Sequence, residues 1–171
     1  MLNSITQFLA GMASVADKKA VLSSVKPLAD RYISQSLSSA GLAIKAGGSA
    51  IVKTGAAAYY GIANGILVTK GAATDMAALS GTVTNAKFNI YCFYIDSAGT
   101  LTSAMGTEGA TLAAVKFPQT PEGKAMLGFV VINPTGTGNF VGGTTALDDA
   151  TVVPNAAYVN TIGAFDPTVL I

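Results

Sequence analysis

The hydrophobic rhythm of the chain changes once. Up to about residue 40, apolar side chains recur at three- and four-residue steps. Ile5, Phe8, Leu9, Met12, Val15 and Ala16 form one series, and Leu22, Val25, Leu28, Ala29, Tyr32, Ile33 and Leu37 form the next. That spacing gathers them on one stripe of an α-helix. Asp17 is placed to cap a second helical segment, Pro27 to break, kink or restart it, and Gly41 to stop it. The stripe is wide enough to lie on a sheet or on a neighbouring subunit, and it lacks the strict heptads of a long coiled coil. Residues 45–56 are rich in Gly, Ser and Ala, with one apolar run at Ala50 to Val52, and predict a connector. The expected organisation is a helical arm over 1–44, this connector over 45–56, and a body over 57–171.

From Ala56 the period becomes two. Tyr59 to Ala63 and Ile66 to Lys70 flank Asn64-Gly65, the pair that a type I′ hairpin turn favours because both central residues need positive φ. Thr74 to Leu79 predicts a short helical turn ended by Gly81. Lys87 to Ile95 is crowded with aromatic and β-branched residues, and both its faces are apolar from Tyr91 onward. It predicts a central strand covered on two sides. Asp96-Ser97-Ala98-Gly99 is turn chemistry, and Leu101 to Met105 is the returning partner.

Ala110 to Phe117 and Lys124 to Ile132 predict further strands, the second again apolar on both faces and ended by Asn133-Pro134. Thr135 to Thr145 is Gly- and Thr-rich, with Phe140 and Val141 its only large apolar pair, and predicts a surface loop. Leu147-Asp148-Asp149 predicts a turn, Tyr158 to Ile162 the last strand, and Phe165-Asp166-Pro167 with Val169-Leu170-Ile171 a tail. Aliphatic surface left in water costs roughly 25 cal/mol per Å², so the tail is expected to dock on the body or on another subunit. Short strands separated by turn signals, without βαβ alternation, predict a mainly β protein. The fold class is an antiparallel β-sandwich or jelly-roll-like body with an N-terminal α-helical arm.

Composition changes this picture at the surface. Only 11% of the 171 residues are charged, against about 25% in an average soluble domain. Net charge is +1 and mean hydropathy is +0.50. So little charge fits a surface largely covered by copies or partners. It offers no field for nucleic acid or an anionic membrane. No apolar run approaches the roughly 18 residues of a membrane-spanning helix. No basic side chain precedes Lys18, so a signal peptide is not expected.

Candidate chemistry is sparse. Histidine is absent, which removes Ser-His-Asp and Cys-His arrangements and most zinc sites. The single cysteine, Cys92, lies mid-strand and predicts a packing role. Asp148-Asp149 is the only adjacent acidic pair, without a D-x-D-x-D-G calcium loop, and predicts a solvated turn. Glu108 and Glu122 each adjoin a glycine in a predicted turn, with nothing nearby to raise a carboxyl pKa for glycosidase work. Gly136 to Gly142 misses the G-x-G-x-x-G spacing by one residue. Gly61 to Gly65 fits G-x-x-x-G but spans the hairpin turn. Tyr59-Tyr60 has only Lys53 and Lys70 as basic sequence neighbours, too few for a nucleic-acid groove. No catalytic, cofactor-binding or metal-binding residue is assigned, and an enzyme is not expected.

Four stretches carry a resemblance: Gly65-Ile-Leu-Val-Thr-Lys, Thr74-Asp-Met-Ala-Ala-Leu-Ser-Gly-Thr, Phe88-Asn-Ile-Tyr-Cys-Phe-Tyr-Ile-Asp and Asn133-Pro-Thr-Gly-Thr-Gly-Asn-Phe-Val-Gly-Gly-Thr-Thr. The block from Ala57 to Pro167 resembles structural proteins of tailed bacteriophages of the head-decoration or head-fibre kind. The resemblance implies a virion component on the capsid exterior that binds the major capsid protein or other virion proteins in many copies, without catalytic residues or cofactors. A homo-oligomer is expected, with a trimer as its state. The helical arm lies outside the resemblance, as an anchor or a bundling element. The competing expectation is a tail-fibre or adhesin-type module that reads a surface glycan through Thr135 to Thr145 and Tyr59-Tyr60.

Overall fold

Strand β7 (Asn89–Ile95) is buried at all seven positions and forms the middle of the fold. The computed structural model describes residues 15–165. β7 pairs on one side with β8 (Leu101–Met105), returned by the turn at Asp96 to Gly99 as expected. On the other side it pairs with β9 (Ala125–Ile132), and β9 pairs in turn with β11 (Ala157–Asn160). The result is an antiparallel four-stranded sheet, β11-β9-β7-β8.

A second antiparallel sheet has the order β1-β4-β5, with β1 Gln35–Ser36, β4 Tyr59–Ala63 and β5 Ile66–Lys70. Asn64 and Gly65 turn its hairpin at φ +51° and +77°, as the I′ signature demands. The two sheets face each other over one core. Tyr59, Ala63 and Val68 from the smaller sheet join Tyr91, Phe93, Ile95, Leu127, Val130 and Ile132 from the larger. The far face of β7 carries Ile90, Cys92 and Tyr94 into a second cluster with Val115 and Met126. A body that is mainly β, sandwich-like and preceded by a helix is the expected class.

One irregularity joins the layers. β9 bulges between the partners of Phe93 and Tyr94. Leu127 and Val130 therefore both face the main core, although strict alternation would separate them. Gly128 sits at the bulge with φ +153°. A Cβ there would lie 2.2 Å from the Val159 carbonyl oxygen and 2.8 Å from Leu42 Cδ1. The Met126 carbonyl accepts hydrogen bonds from Ser36 Oγ (2.6 Å) and Thr161 Oγ1 (2.7 Å). Ser36 spends its one proton on that bond, so Tyr59 Oη donates to Ser36 Oγ at 2.8 Å.

The structure moves several expected boundaries. Helix α1 (Val15–Ile33) runs through Pro27, where the backbone lacks a donor for the helical ladder. Asp17 lies within its first turn, and the helix ends at Ile33, ahead of Gly41. Residues assigned to arm and connector pair instead: β1 joins β4, and β2 (Ala43–Ile44) joins β3 (Val52–Lys53). Thr74 to Leu79 forms no helical turn: Asp75 bridges to Lys53 and Met76 N–H donates to the Val52 carbonyl, while Met76 and Leu79 are buried. Ala110 to Phe117 holds a 3₁₀ turn (Leu112–Ala114) and a single bridge from Lys116 to Thr107. Within Thr135 to Thr145, β10 (Phe140–Val141) pairs with β6 (Thr82–Val83), and Phe140 is fully buried edge-on to Tyr91. The series Ile5 to Met12 and the tail from Asp166 onward lie outside the described residues.

Candidate functional site

The body fixes the orientation of α1 by polar contacts. Lys26 Nζ donates to Asp30 Oδ2 at 2.8 Å and to Glu122 Oε1 at 2.5 Å. Both carboxylates hold the ammonium group charged, raising its pKa above the ordinary lysine value, with Asp30 the larger cause. Ser23, Lys26, Asp30 and Arg31 line a cleft of about 630 Å³ against Gln119 to Lys124. At the helix end, Gly65 N–H donates to the Ile33 carbonyl at 2.7 Å, and Asn64 N–H donates to Ser34 Oγ at 3.0 Å.

In that placement Leu22, Ala29, Tyr32 and Ile33 of the stripe are exposed and Val25 is half-buried. Among the described side chains of α1 none is buried. Leu22, Tyr32 and Ile33 are 47%, 62% and 41% exposed. A helix that serves only its own domain turns such a stripe to the core. Past the helix end Leu37, Tyr60 and Leu67 are exposed on or beside the hairpin sheet, Leu67 at 63%, while the exposed Ile66 pairs with buried Ala63 and belongs to the other face. Ile62 and Leu67 are directly paired across β4 and β5, so they stand on the same outer face. Cross-strand neighbours of this kind form a surface rather than scattered side chains.

The residues singled out for chemistry go elsewhere. Cys92 is fully buried, and burial pushes its thiol up to about 12, so it is a protonated packing group. Asp148 accepts the Gly48 N–H on both carboxylate oxygens, each at 3.0 Å. Asp149 closes its own turn by accepting from the hydroxyl and amide of Thr151, which holds its carboxyl below the usual range. Glu108 accepts from the amide and hydroxyl of Thr84, again lowering its pKa, while Glu122 pairs with Lys26. Among the described residues no three His, Cys, Asp or Glu side chains are grouped to hold a metal ion. No described helix is long and apolar enough to cross a membrane.

Tyr59 and Tyr60 point to opposite faces, one inside the core and the other outside, so they do not form one stacking platform. Phe140 anchors the Gly-rich segment inward instead of presenting it. The apolar positions of α1 were legible as a stripe but not as exposed. Periodicity names a face, and which way it turns depends on contacts with distant residues, among them Lys26 with Glu122 and the helix end with Asn64 and Gly65. Neither protein-family models, curated proteins nor solved structures gave a match to this chain.

Proposed function

We propose that this protein is a non-catalytic structural component of a virus particle, a capsid decoration or head-fibre protein of the tailed-phage kind. In this reading it sits on the capsid exterior as a homo-oligomer, a trimer, and binds the major capsid protein or another virion protein. The observation that carries the reading is the set of exposed apolar side chains on α1 and on the outer face of the hairpin sheet. It is a surface suited to copies of the same chain or to a lattice, on a protein with few charges to keep it dispersed. A protein that binds only the assembled shell shifts the shell's equilibrium toward assembly by its own binding free energy.

The test has two parts. Sedimentation of the full chain should give an oligomer, and Leu22→Glu/Tyr32→Glu should give a monomer with an unchanged β-sheet spectrum. Cosedimentation with phage capsids stripped of decoration protein should show binding that survives about 1 M salt, because apolar contact is not screened. A monomeric wild type that ignores capsids would overturn the proposal.

A further inference from the structure

We propose that β11 is a self-pairing edge, along which two copies of the chain join antiparallel with Val159 facing the second copy's Val159. β11 ends the order β11-β9-β7-β8 and has a partner strand on one side only. Thr161 N–H donates to the Leu127 carbonyl in the same register that pairs Val159 with Phe129. Hydrogen-bonded and non-hydrogen-bonded pairs alternate along an antiparallel ladder, so Ala157 and Val159 turn their backbone groups toward β9. Tyr158 and Asn160 turn theirs away from it, and among the described residues neither finds a backbone partner there. A row of unpaired donors and acceptors is a template for another strand.

The other edges are guarded. β8 is half-buried along its length, and Lys124 reaches Thr102 on it. β5 ends in Lys70, and β1 is bridged by Gly163. The run Ala157-Tyr-Val-Asn-Thr-Ile162 has neither a charge nor a proline, the devices that keep open edges apart. Ala157, Val159 and Asn160 are exposed. Val159 also lines an apolar trough of about 570 Å³ on the outer face of the sheet, with Ile90, Phe129, Val131 and Leu112.

The occupant is a second copy because this edge complements itself. A two-fold axis normal to the sheet, passing between the two Val159 residues, sets Tyr158 against the second copy's Asn160. Each of that pair then donates its N–H to the other's carbonyl, and the symmetric pair does the same. The two Val159 side chains meet on one face as a non-hydrogen-bonded pair. The apolar troughs come together beside them, and no charge on either strand repels its image. Such an isologous contact closes at two copies. It is therefore distinct from the α1 surface and from the trimer proposed above, and it joins two such assemblies.

Val159→Cys in the full chain tests the contact, alone and combined with Leu22→Glu/Tyr32→Glu to remove association through α1. The two Cβ atoms of a non-hydrogen-bonded pair lie about 4.5–5.5 Å apart, within a small shift of disulfide geometry. Cys92 is too deeply buried to compete. Mild oxidation should give a dimer bridged from 159 to 159, confirmed by peptide mapping, in both backgrounds. It should form severalfold faster than the dimer of Ser97→Cys, an exposed turn position. In the protein with Val159 intact, exchange of the Tyr158 and Asn160 amides should slow severalfold as concentration rises, while the Val159 amide stays protected throughout. Cross-linking no faster than that of Ser97→Cys, or lost when α1 is altered, would overturn the proposal. So would Tyr158 and Asn160 amides that exchange fast at every concentration. Amides protected at monomer mass would assign the edge to the chain's own residues and overturn it as well.

Discussion

Gly128→Ala tests whether the bulge of β9 is a packing requirement. The new methyl would meet the Val159 carbonyl oxygen at 2.2 Å and Leu42 Cδ1 at 2.8 Å, with Asn160 Cα at 3.1 Å. Two of those three atoms are backbone of β11 or lie within it, so rotating a side chain away does not relieve the contact. The residue also sits at φ +153°, which L side chains rarely adopt. Strain at such a position is worth about 1–3 kcal/mol, and overpacking a filled site adds about 1–3 kcal/mol. The sum is about 2–6 kcal/mol. For a chain of this size each kcal/mol moves Tm by roughly 2–4 °C, so the expected drop is on the order of 10 °C. Gly48→Ala is the control, because Gly48 has φ +76° but nothing within 4 Å of its Cβ position. It carries strain without collision and should lose about 1 kcal/mol. Calorimetry of the three proteins decides the matter, with amide exchange expected to show β11 opening first in Gly128→Ala. A Gly128→Ala protein that melts with the wild type, or with the Gly48→Ala control, would refute the assignment of the collision.

Three further outcomes are expected. Tyr59→Phe removes a donor whose partner keeps its bond to Met126, so urea unfolding should show a loss of about 1 kcal/mol. Ser36→Ala strands the buried Tyr59 hydroxyl and should lose more, about 1–3 kcal/mol, with the double variant falling short of the sum. Burial raises the thiol of Cys92 and the phenol of Tyr91 to about 12, from ordinary values of 9.0 and 10.0. The folded state therefore holds more protons than the unfolded state above pH 9, so stability should fall as pH rises from 9 toward 12. In Cys92→Ala that decline should begin nearer pH 10, as followed by chemical unfolding in a pH series. Leu67→Glu, on the exposed outer face of β5, should leave the melting temperature within about 2 °C, as surface substitutions do. On the assembly reading it should weaken self-association in sedimentation, and an unchanged mass would remove the hairpin sheet from the interface.

What the sequence discloses is local. The Asn64-Gly65 turn, the doubly apolar run ending at Ile95 and the Asp96 turn each carry their cause within a few residues. Asp96, for example, accepts the amides of Ala98 and Thr100 at its own turn. What stays hidden depends on distant partners. Ser36 lies between Ile33 and Leu37, where the helical spacing still runs, and it becomes a strand only because Gly61 is there to pair with it. Thr74 to Leu79 has helical residues, but Met76 and Leu79 gain more by burial against the layer that holds Val52. Phe140 stands in a glycine-rich run whose composition suggests solvent, and its ring is drawn inward by Tyr91. The candidate surface divides in the same way. Its apolar positions are written in the helix, whereas their exposure depends on partners far along the chain, Asn64, Gly65 and Glu122 among them.

Greasy faces resist being pulled apart, yet they offer little resistance to sliding, because contact area hardly changes as one layer glides over the other. The break in β9 removes that freedom. It presents one carbonyl to hydroxyls arriving from the opposite layer and from the neighbouring strand, and such bonds fail within a few tenths of an ångström of misplacement. The hairpin layer is thereby pinned at a single lateral offset. A surface that must match copies of itself needs that fixed geometry more than it needs extra cohesion.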